Sequence, residues 1–537
     1  MESQPYKPFY QPLLFALVLI VGMFLGFKIA SSYYFNQPGL LASKSDQTHL
    51  DYLINLLNEK YVDSIDKNTL YENGIDGILT SLDPHTVYIP PQETDRVNEE
   101  LEGNIYGIGI EFFIYQDSVR VLSVMQNSPA SKSSISAGGI ILQIDDSLIA
   151  GKKLEDEQVI KLIKGKKKST VMLGIRKPDG KQVNLQLQRE NIAYSSIIAS
   201  YVMPQHKDIG YIAIRMFSEN TYEEFKEALQ LLIDRGITKL IIDVRDNPGG
   251  YMDAVTSILD ELIPGEHTLL TTKSKDHEEK VLSKNKGIFE KGAVGILINE
   301  NSASASEILA GAVQDLDRGL VIGRRSYGKG LVQEQFSLPN HAAIRITVAR
   351  YYLPSGRCIQ KDYSQGKRQY QHEIYSRYVQ GSLTSIDTSQ QTGKKVYYTS
   401  AKKEVFGNEG VKPDIQVLLD TTQHALLDSL YNYNLPELFA AQYYYFHKNE
   451  FQVFKNENQY ENEFQMNQIM SQLFFDFLKK HIPSLQLNAY ANYKSKLLSA
   501  LKAAFANLYF NSNAKYMMMS HDDLMLQKRL KNSVMMS

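Results

Sequence analysis

The sequence predicts a multidomain α/β protein, on three observations. The chain has 537 residues, too many for one hydrophobic core to hold. From residue 208 strand-like and helix-like runs alternate: "IGYIAIRM", "YEEFKEALQLLIDRG", "KLIIDVRDNPGG", "MDAVTSILDELI" and "AVGILIN". That rhythm is the signature of a largely parallel sheet flanked by helices. Residues 101–190 instead carry short β-rich runs ("IGIEFFI", "VRVLSVM", "IILQID", "TVMLGIR", "VNLQLQR") with one helix at "LEDEQVIKLIK", the pattern of a small mixed β domain.

The remaining segments follow in chain order. Residues 1–35 hold the charge-free run "LLFALVLIVGMFLGF" from Leu13 to Phe27. It reads either as a retained anchor, with Lys28 snorkelling at its end, or as a cleaved signal peptide with small residues at 30–32; the anchor is favoured. Either reading exports the rest of the chain. Residues 45–100 form short amphipathic helices, with Leu50, Leu53, Ile54 and Leu57 at helical spacing, until "LDPHTVYIPP" breaks the pattern and leaves His85 as a turn residue. Residues 361–409 are polar and largely patternless, an excursion from the sheet domain, and "VKPDIQV" returns as a strand. Residues 421–537 are helical. Leu435, Leu438, Phe439, Phe474, Phe475 and Leu478 stand at core-like spacings, and the Met-rich tail after Tyr516 is a docking helix or a frayed end.

Composition removes several classes of function. The formal net charge of −2 gives no electrostatic basis for nucleic acid as a partner. The single cysteine, Cys358, excludes an internal disulfide framework and a cysteine-based metal cluster. The histidines show no ligand spacing such as H-E-x-x-H, so a metal mechanism has no support in the sequence, and the reading reached below implies no organic cofactor.

The chemistry centres on "NSASASEILAG", residues 301–311, where serines alternate before an amphipathic helix. One reading is a tight turn with Ser304 and Glu307 as an S-x-x-E capping box. The other is acyl transfer, which needs a nucleophile, a base and donors for the oxyanion. A serine at a helix entrance supplies the first. The Ala305 amide in the free first turn supplies one donor, and Gly249 or Gly250 of "NPGG" another; the sequence prefers neither glycine. For the base, "RRSYGKGLVQ" offers Lys329 between two glycines. An ordinary lysine near pKa 10.4 is neutral in roughly one molecule in a few thousand at pH 7. Lys329 can serve only if burial without a carboxylate partner brings its pKa to about 7.

Read together, "DVRDNPGG", "SASASEILAGAVQD", "SYGKGLVQ", "TVARYYLPSGRCIQ" and "GVKPDI", preceded by "YVD", "LDPHTVYIP" and "GIGIEF", resemble the carboxy-terminal processing peptidases over residues 50–420. These are serine endopeptidases with a Ser-Lys dyad. The resemblance implies a ClpP/crotonase-like α/β core at 191–420, interrupted by the 361–409 insertion, and an inserted PDZ domain at 101–190. It makes Ser304 the nucleophile, Lys329 the base and Gln333 the residue that supports the lysine. It also makes Gly107, Ile108, Gly109 and Ile110 the loop whose amides receive a peptide's carboxylate. The implied partners are polypeptides with exposed C-termini, selected or gated by the PDZ domain. The implied setting is the cell envelope, with the catalytic part in the periplasm or extracytoplasmic space and subunits paired through helical regions. The rival readings are a silent PDZ-type scaffold and a crotonase-like acyl-thioester enzyme.

Overall fold

The computed structural model describes residues 47–531 apart from isolated positions and the segments 386–394, 420–433 and 483–486. Apart from Gly22, the 13–27 run lies outside the described residues, among which no helix is long and apolar enough to cross a membrane. The chain divides into two units, residues 1–78 and 79–537. In the first, the helix Gln47–Lys60 is followed by the helix starting at Lys67. Asp66 caps the latter, its carboxylate accepting the amides of Asn68 and Thr69 at 3.2 Å each.

The second unit is organised by a six-stranded sheet in the order Ile197–Val202, Ile209–Ile214, Lys239–Asp243, Ala293–Ile298, Gly319–Gly323, Ile415–Gln416. All neighbours are parallel except the first pair. Its strands alternate between two cores, which is why they read as unbroken apolar runs. Ile212, Ile242, Ile296 and Val321 face the helices Thr221–Asp234, Met252–Leu262 and Ala305–Asp315. Tyr211, Ile241, Leu297 and Ile322 face the other way and meet Met525 and Leu526 from the end of the chain.

Of the two readings of the tail after Tyr516, docking is the one the fold adopts, and the tail completes one core of the sheet domain. Ser200 donates its amide to Asn513 Oδ1 at 2.7 Å, and Arg245 pairs with Asp523 at 2.7 Å. The helices between 435 and 509 form their own aromatic core, in which Phe439, Phe474 and Leu478 are buried as their spacing predicted.

A five-stranded antiparallel sheet went unforeseen. The long strand Ala343–Tyr352 pairs with Leu331–Ser337 on one side and with Val87–Ile89 and Thr268–Ser274 on the other; Glu278–Leu282 closes the edge. Its strands lie far apart in sequence, so no local rhythm announces it. The polar excursion is also corrected. It holds the helix Lys367–Val379 and the hairpin of Val396–Tyr398 with Glu404–Phe406. That helix lacks an apolar stripe; its buried residues are Tyr370 and Arg377, whose polar ends find partners inside. The β-rich segment folds as foreseen, with strands Ile110–Tyr115, Ser118–Val124, Ile140–Ile144, Thr170–Arg176 and Gln182–Gln188 forming one sheet and the helix Asp156–Ile163 packing on it.

Candidate active site

Three adjacent parallel strands end in the three loops singled out from the sequence. Lys239–Asp243 runs into "RDNPGG", Ala293–Ile298 into "NENSASAS", and Gly319–Gly323 into "RRSYGKG". Carboxyl ends of neighbouring parallel strands are where such sheets place ligands. The first two loops are fastened to each other. Asp246 Oδ1 accepts from the side-chain amides of Asn299 and Asn301 at 2.8 Å, and the Ala303 amide donates to the Asn247 carbonyl at 3.0 Å.

The serine alternation now has a physical account. Ser302 is buried and donates its hydroxyl to the Val244 carbonyl at 2.7 Å; Ser306 is buried and donates to the Asn247 carbonyl at 3.0 Å. Both are consumed in tying the loops together. Ser304 is partly exposed, and its hydroxyl makes no cap hydrogen bond. The capping-box arrangement is present, with the Ser304 side chain set against the Glu307 amide, but the well-formed bonds run through the backbone of Ser304. The Ser304 amide donates to Glu307 Oε2 at 2.9 Å, and the Glu307 amide reaches the Ser304 carbonyl at 2.8 Å. An ordinary N-cap residue has an extended backbone. Ser304 instead has φ 54° and ψ −115°, a conformation that costs a non-glycine residue about 1–3 kcal/mol and persists only where its surroundings enforce it.

Those surroundings also hold Lys329. Glu307 is fully buried, and its carboxylate accepts four donors: the Ser304 and Lys329 amides on Oε2, and the Gly328 amide at 2.7 Å and the Ser326 hydroxyl at 2.5 Å on Oε1. Ser326 Oγ accepts from the Val411 amide, so its proton is free to point at the carboxylate. Burial pushes the Glu307 pKa up while the four donors pull it down. On the other side, the buried Tyr351 hydroxyl lies 2.7 Å from the Lys329 carbonyl and 3.2 Å from the Ser304 carbonyl. One carboxylate and one phenol thus grip the backbones of both residues.

The Lys329 side chain is partly buried and forms no ion pair among the described residues. Its Nζ donates to Gln333 Oε1 at 2.9 Å, and Gln333 Nε2 donates in turn to the His85 carbonyl. No hydrogen bond joins Lys329 Nζ to Ser304 Oγ. Burial lowers the Lys329 pKa to about 8, helped by the nearby Arg345 cation and opposed by Glu307 and Asp83. His85 sits in an Asp83-capped turn, its amide 2.8 Å from Asp83 Oδ1, as the sequence suggested. Its ring nitrogen Nε2 meets the Tyr370 hydroxyl at 2.8 Å, and burial brings its pKa down to about 4. The polar insertion therefore braces the base loop. Arg377 donates to the carbonyls of Arg325, Ser326 and Tyr327, and Lys361 lies 3.8 Å from the centre of the Tyr327 ring while pairing with Glu373.

The structure separates the candidate oxyanion donors. The Gly249 amide is already donated to Asn247 Oδ1 at 2.8 Å, which corrects its expected role. The bridge between Phe217 and Gly250 uses the Gly249 carbonyl and the Tyr251 amide; among the described residues neither the Gly250 amide nor the Ala305 amide has an acceptor. Gly249 still has to be glycine, because a Cβ there would lie 2.7 Å from Ser304 Cβ. Gly250 has φ 141°, and a Cβ on it would overlap the Phe217 carbonyl. Gly250→Ala should therefore lower stability by about 2–4 kcal/mol in urea unfolding; an unchanged midpoint would mean the loop is slack.

In the β-rich domain the Ile108 carbonyl accepts from the Ala130 amide at 2.9 Å and the Gly109 carbonyl from the Met125 amide at 3.0 Å. Across trans peptides this turns the Gly109 and Ile110 amides the opposite way. Gly109 has φ 73° with Ser128 packed where its side chain would be. Sequence reasoning missed Glu307 as a shared brace, and with it Tyr351, Asn247 and His85's carbonyl. Only Glu307 left a signal, as half of a capping box.

Residues 208–367 match the family described as Peptidase family S41. The chain is 33% identical over 308 residues to a carboxy-terminal processing protease CtpB of Bacillus subtilis, covering 57% of this chain and 64% of that protein. It is 30% identical over 313 residues to a probable CtpA-like serine protease of Staphylococcus epidermidis, covering 58% and 62%. The chain thus spans a little under two thirds of the length of these relatives. A solved photosystem II D1 C-terminal processing protease aligns with 70% of this chain and 94% of its own at 23% identity, with a TM-score of 0.34. Residues 208–367 thus carry a Peptidase family S41 domain, and over more than half of its length the chain is similar to carboxy-terminal processing proteases.

Proposed function

We propose that this chain is an exported, membrane-anchored serine endopeptidase that cleaves polypeptides near their carboxyl termini through a Ser304–Lys329 dyad. The observation that carries this reading is the shared grip on the two residues. Of three alternating serines only Ser304 keeps an uncommitted hydroxyl, and Glu307 and Tyr351 hold its backbone together with that of a lysine lacking a carboxylate partner.

Neutral Lys329 takes the Ser304 proton as Oγ attacks the scissile carbonyl. The amides of Ala305 and Gly250 receive the oxyanion. Collapse expels the new amine as it takes the Ser304 proton from Lys329, and the lysine, neutral again, activates the water that hydrolyses the acyl-enzyme. Reaching Ser304 requires Lys329 Nζ to turn from Gln333, a rotation of an unbranched four-carbon stem; catalytic hydrogen bonds often tighten only when substrate arrives. The domain at 101–190 acts as a PDZ-type module, its Gly107–Ile110 loop receiving the substrate's terminal carboxylate so that the tail adds as a strand beside Ile110–Tyr115.

The test is incubation with an unstructured protein bearing an apolar carboxyl terminus, followed by intact-mass measurement. Wild type should release C-terminal fragments, Ser304→Ala none, and chelators should change nothing; cleavage by Ser304→Ala would end the proposal. Because the neutral amine is the active form and the Lys329 pKa is about 8, kcat/KM should rise with pH and level off above about 8. Roughly a tenth of the enzyme is competent at pH 7. A flat profile from pH 6 to 9 would point to another base.

A further inference from the structure

A cavity of 490 Å³ lies away from Ser304 and Lys329, between the β-rich domain and the C-terminal helices. Phe113 and Ile114 line it from the strand Ile110–Tyr115, Leu438 and Phe446 from the helix Leu435–Phe451, and Leu473 and Phe477 from the helix Gln468–His481. Phe446 and Leu473 leave 62% and 43% of their surface exposed, unusual for residues of this size beside a formed cavity. The lining strand is the edge of its sheet, so one row of its backbone groups has no ladder partner. The two domains are already in contact there: Arg120, the cross-strand neighbour of Phe113, stacks on Tyr445 at 5.6 Å.

We propose that this cavity is a second substrate subsite, occupied by bulky apolar side chains a few residues upstream of the substrate's carboxyl terminus. The inference rests on the tail-binding reading of the Gly107–Ile110 loop. A tail anchored there and pairing antiparallel with the edge strand runs from Ile110 towards Tyr115. Each residue of such a strand advances about 3.4 Å, so the residues beside Phe113 and beyond are the third to fifth before the last. Cross-strand neighbours share a face. Phe113 faces the C-terminal helices, so alternate tail residues point into the cavity. Lys480 and His481 stand on its rim, while the one carboxylate there, Asp476, is engaged by Gln472 Nε2 at 3.1 Å. An acidic residue just upstream is therefore favoured over a basic one. The preferred substrate is an extended tail of acidic, then alternating bulky apolar, residues before the terminal carboxylate.

The experiment uses full-length Ser304→Ala protein in detergent and fluorescent decapeptides, read by anisotropy. Peptides with leucine at the third and fifth positions before the last should bind five- to twentyfold tighter than peptides with serine there. Phe446→Ser combined with Leu473→Ser should cut that ratio below twofold with an unchanged melting temperature, as befits exposed residues. Lys480→Glu should reverse a preference for glutamate over lysine next upstream. A ratio that survives the double substitution, or no leucine preference at all, overturns the subsite. Amidating the carboxyl terminus separates the two readings: amide and acid binding equally would refute the carboxylate loop, whereas the leucine ratio reports on the cavity in either case.

Discussion

Lys329→Met should lower kcat/KM by at least about 10⁴-fold, the scale on which loss of a catalytic base is felt when the nucleophile has no other. Methionine keeps the length and apolar volume of the stem, so the loss cannot be assigned to a collapsed cleft. The more telling result concerns stability. Burial holds the Lys329 pKa near 8, below its usual 10.5, so the folded protein binds fewer protons than the unfolded chain between those values. Wild-type stability should therefore rise with pH across that window, and below it the cation carries the whole penalty. At pH 7 Lys329→Met removes that penalty and should unfold later than wild type, by on the order of 2–3 kcal/mol. The wild-type gain between pH 8 and 10.5 should vanish in the variant. Urea unfolding at a series of pH values measures both. A variant less stable than wild type at pH 7 would mean the lysine is a structural cation, and the dyad would have to be abandoned.

Glu307→Gln should harm both folding and turnover. Three backbone amides and one hydroxyl converge on this buried carboxylate, and an amide oxygen can satisfy only part of them while its NH₂ faces the remaining donors. The expected cost is roughly 2–4 kcal/mol of stability, the penalty for buried donors left unpaired. Turnover should fall about 10²–10³-fold, because Ser304 loses the bond that enforces its positive φ and Lys329 the bond that fixes its loop; misplacement of about 1 Å has effects of this size. KM should change little, since Glu307 touches no substrate. A variant destabilised as expected but with wild-type kcat would show that Glu307 braces the fold and leaves the dyad alone.

These two residues mark what could be read beforehand. Lys329 was legible because two glycines flank it and because its motif has a family counterpart; the demand for burial without a carboxylate partner followed from its pKa alone. Glu307 was visible only as a helix cap. Its larger task depends on the amides of Gly328 and Lys329, some twenty residues away, which reach it only because their loop leaves the neighbouring strand of the same sheet. Gly249 and Gly250 were indistinguishable in sequence, and a single side chain, Asn247, separates them by taking one amide.

Alternation of apolar runs along the chain determined by itself the parallel sheet, its flanking helices, the β-rich domain and the strand ends where chemistry can gather, because periodicity and turn chemistry are local properties. Tertiary structure alone decided which serine hydroxyl stays free, which amide can meet an oxyanion, how the polar insertion braces the base loop and where the C-terminal tail seals the sheet. Each of these is a hydrogen bond or contact between residues distant in sequence, and whether a polar group is used or left free depends on the partner that folding brings to it.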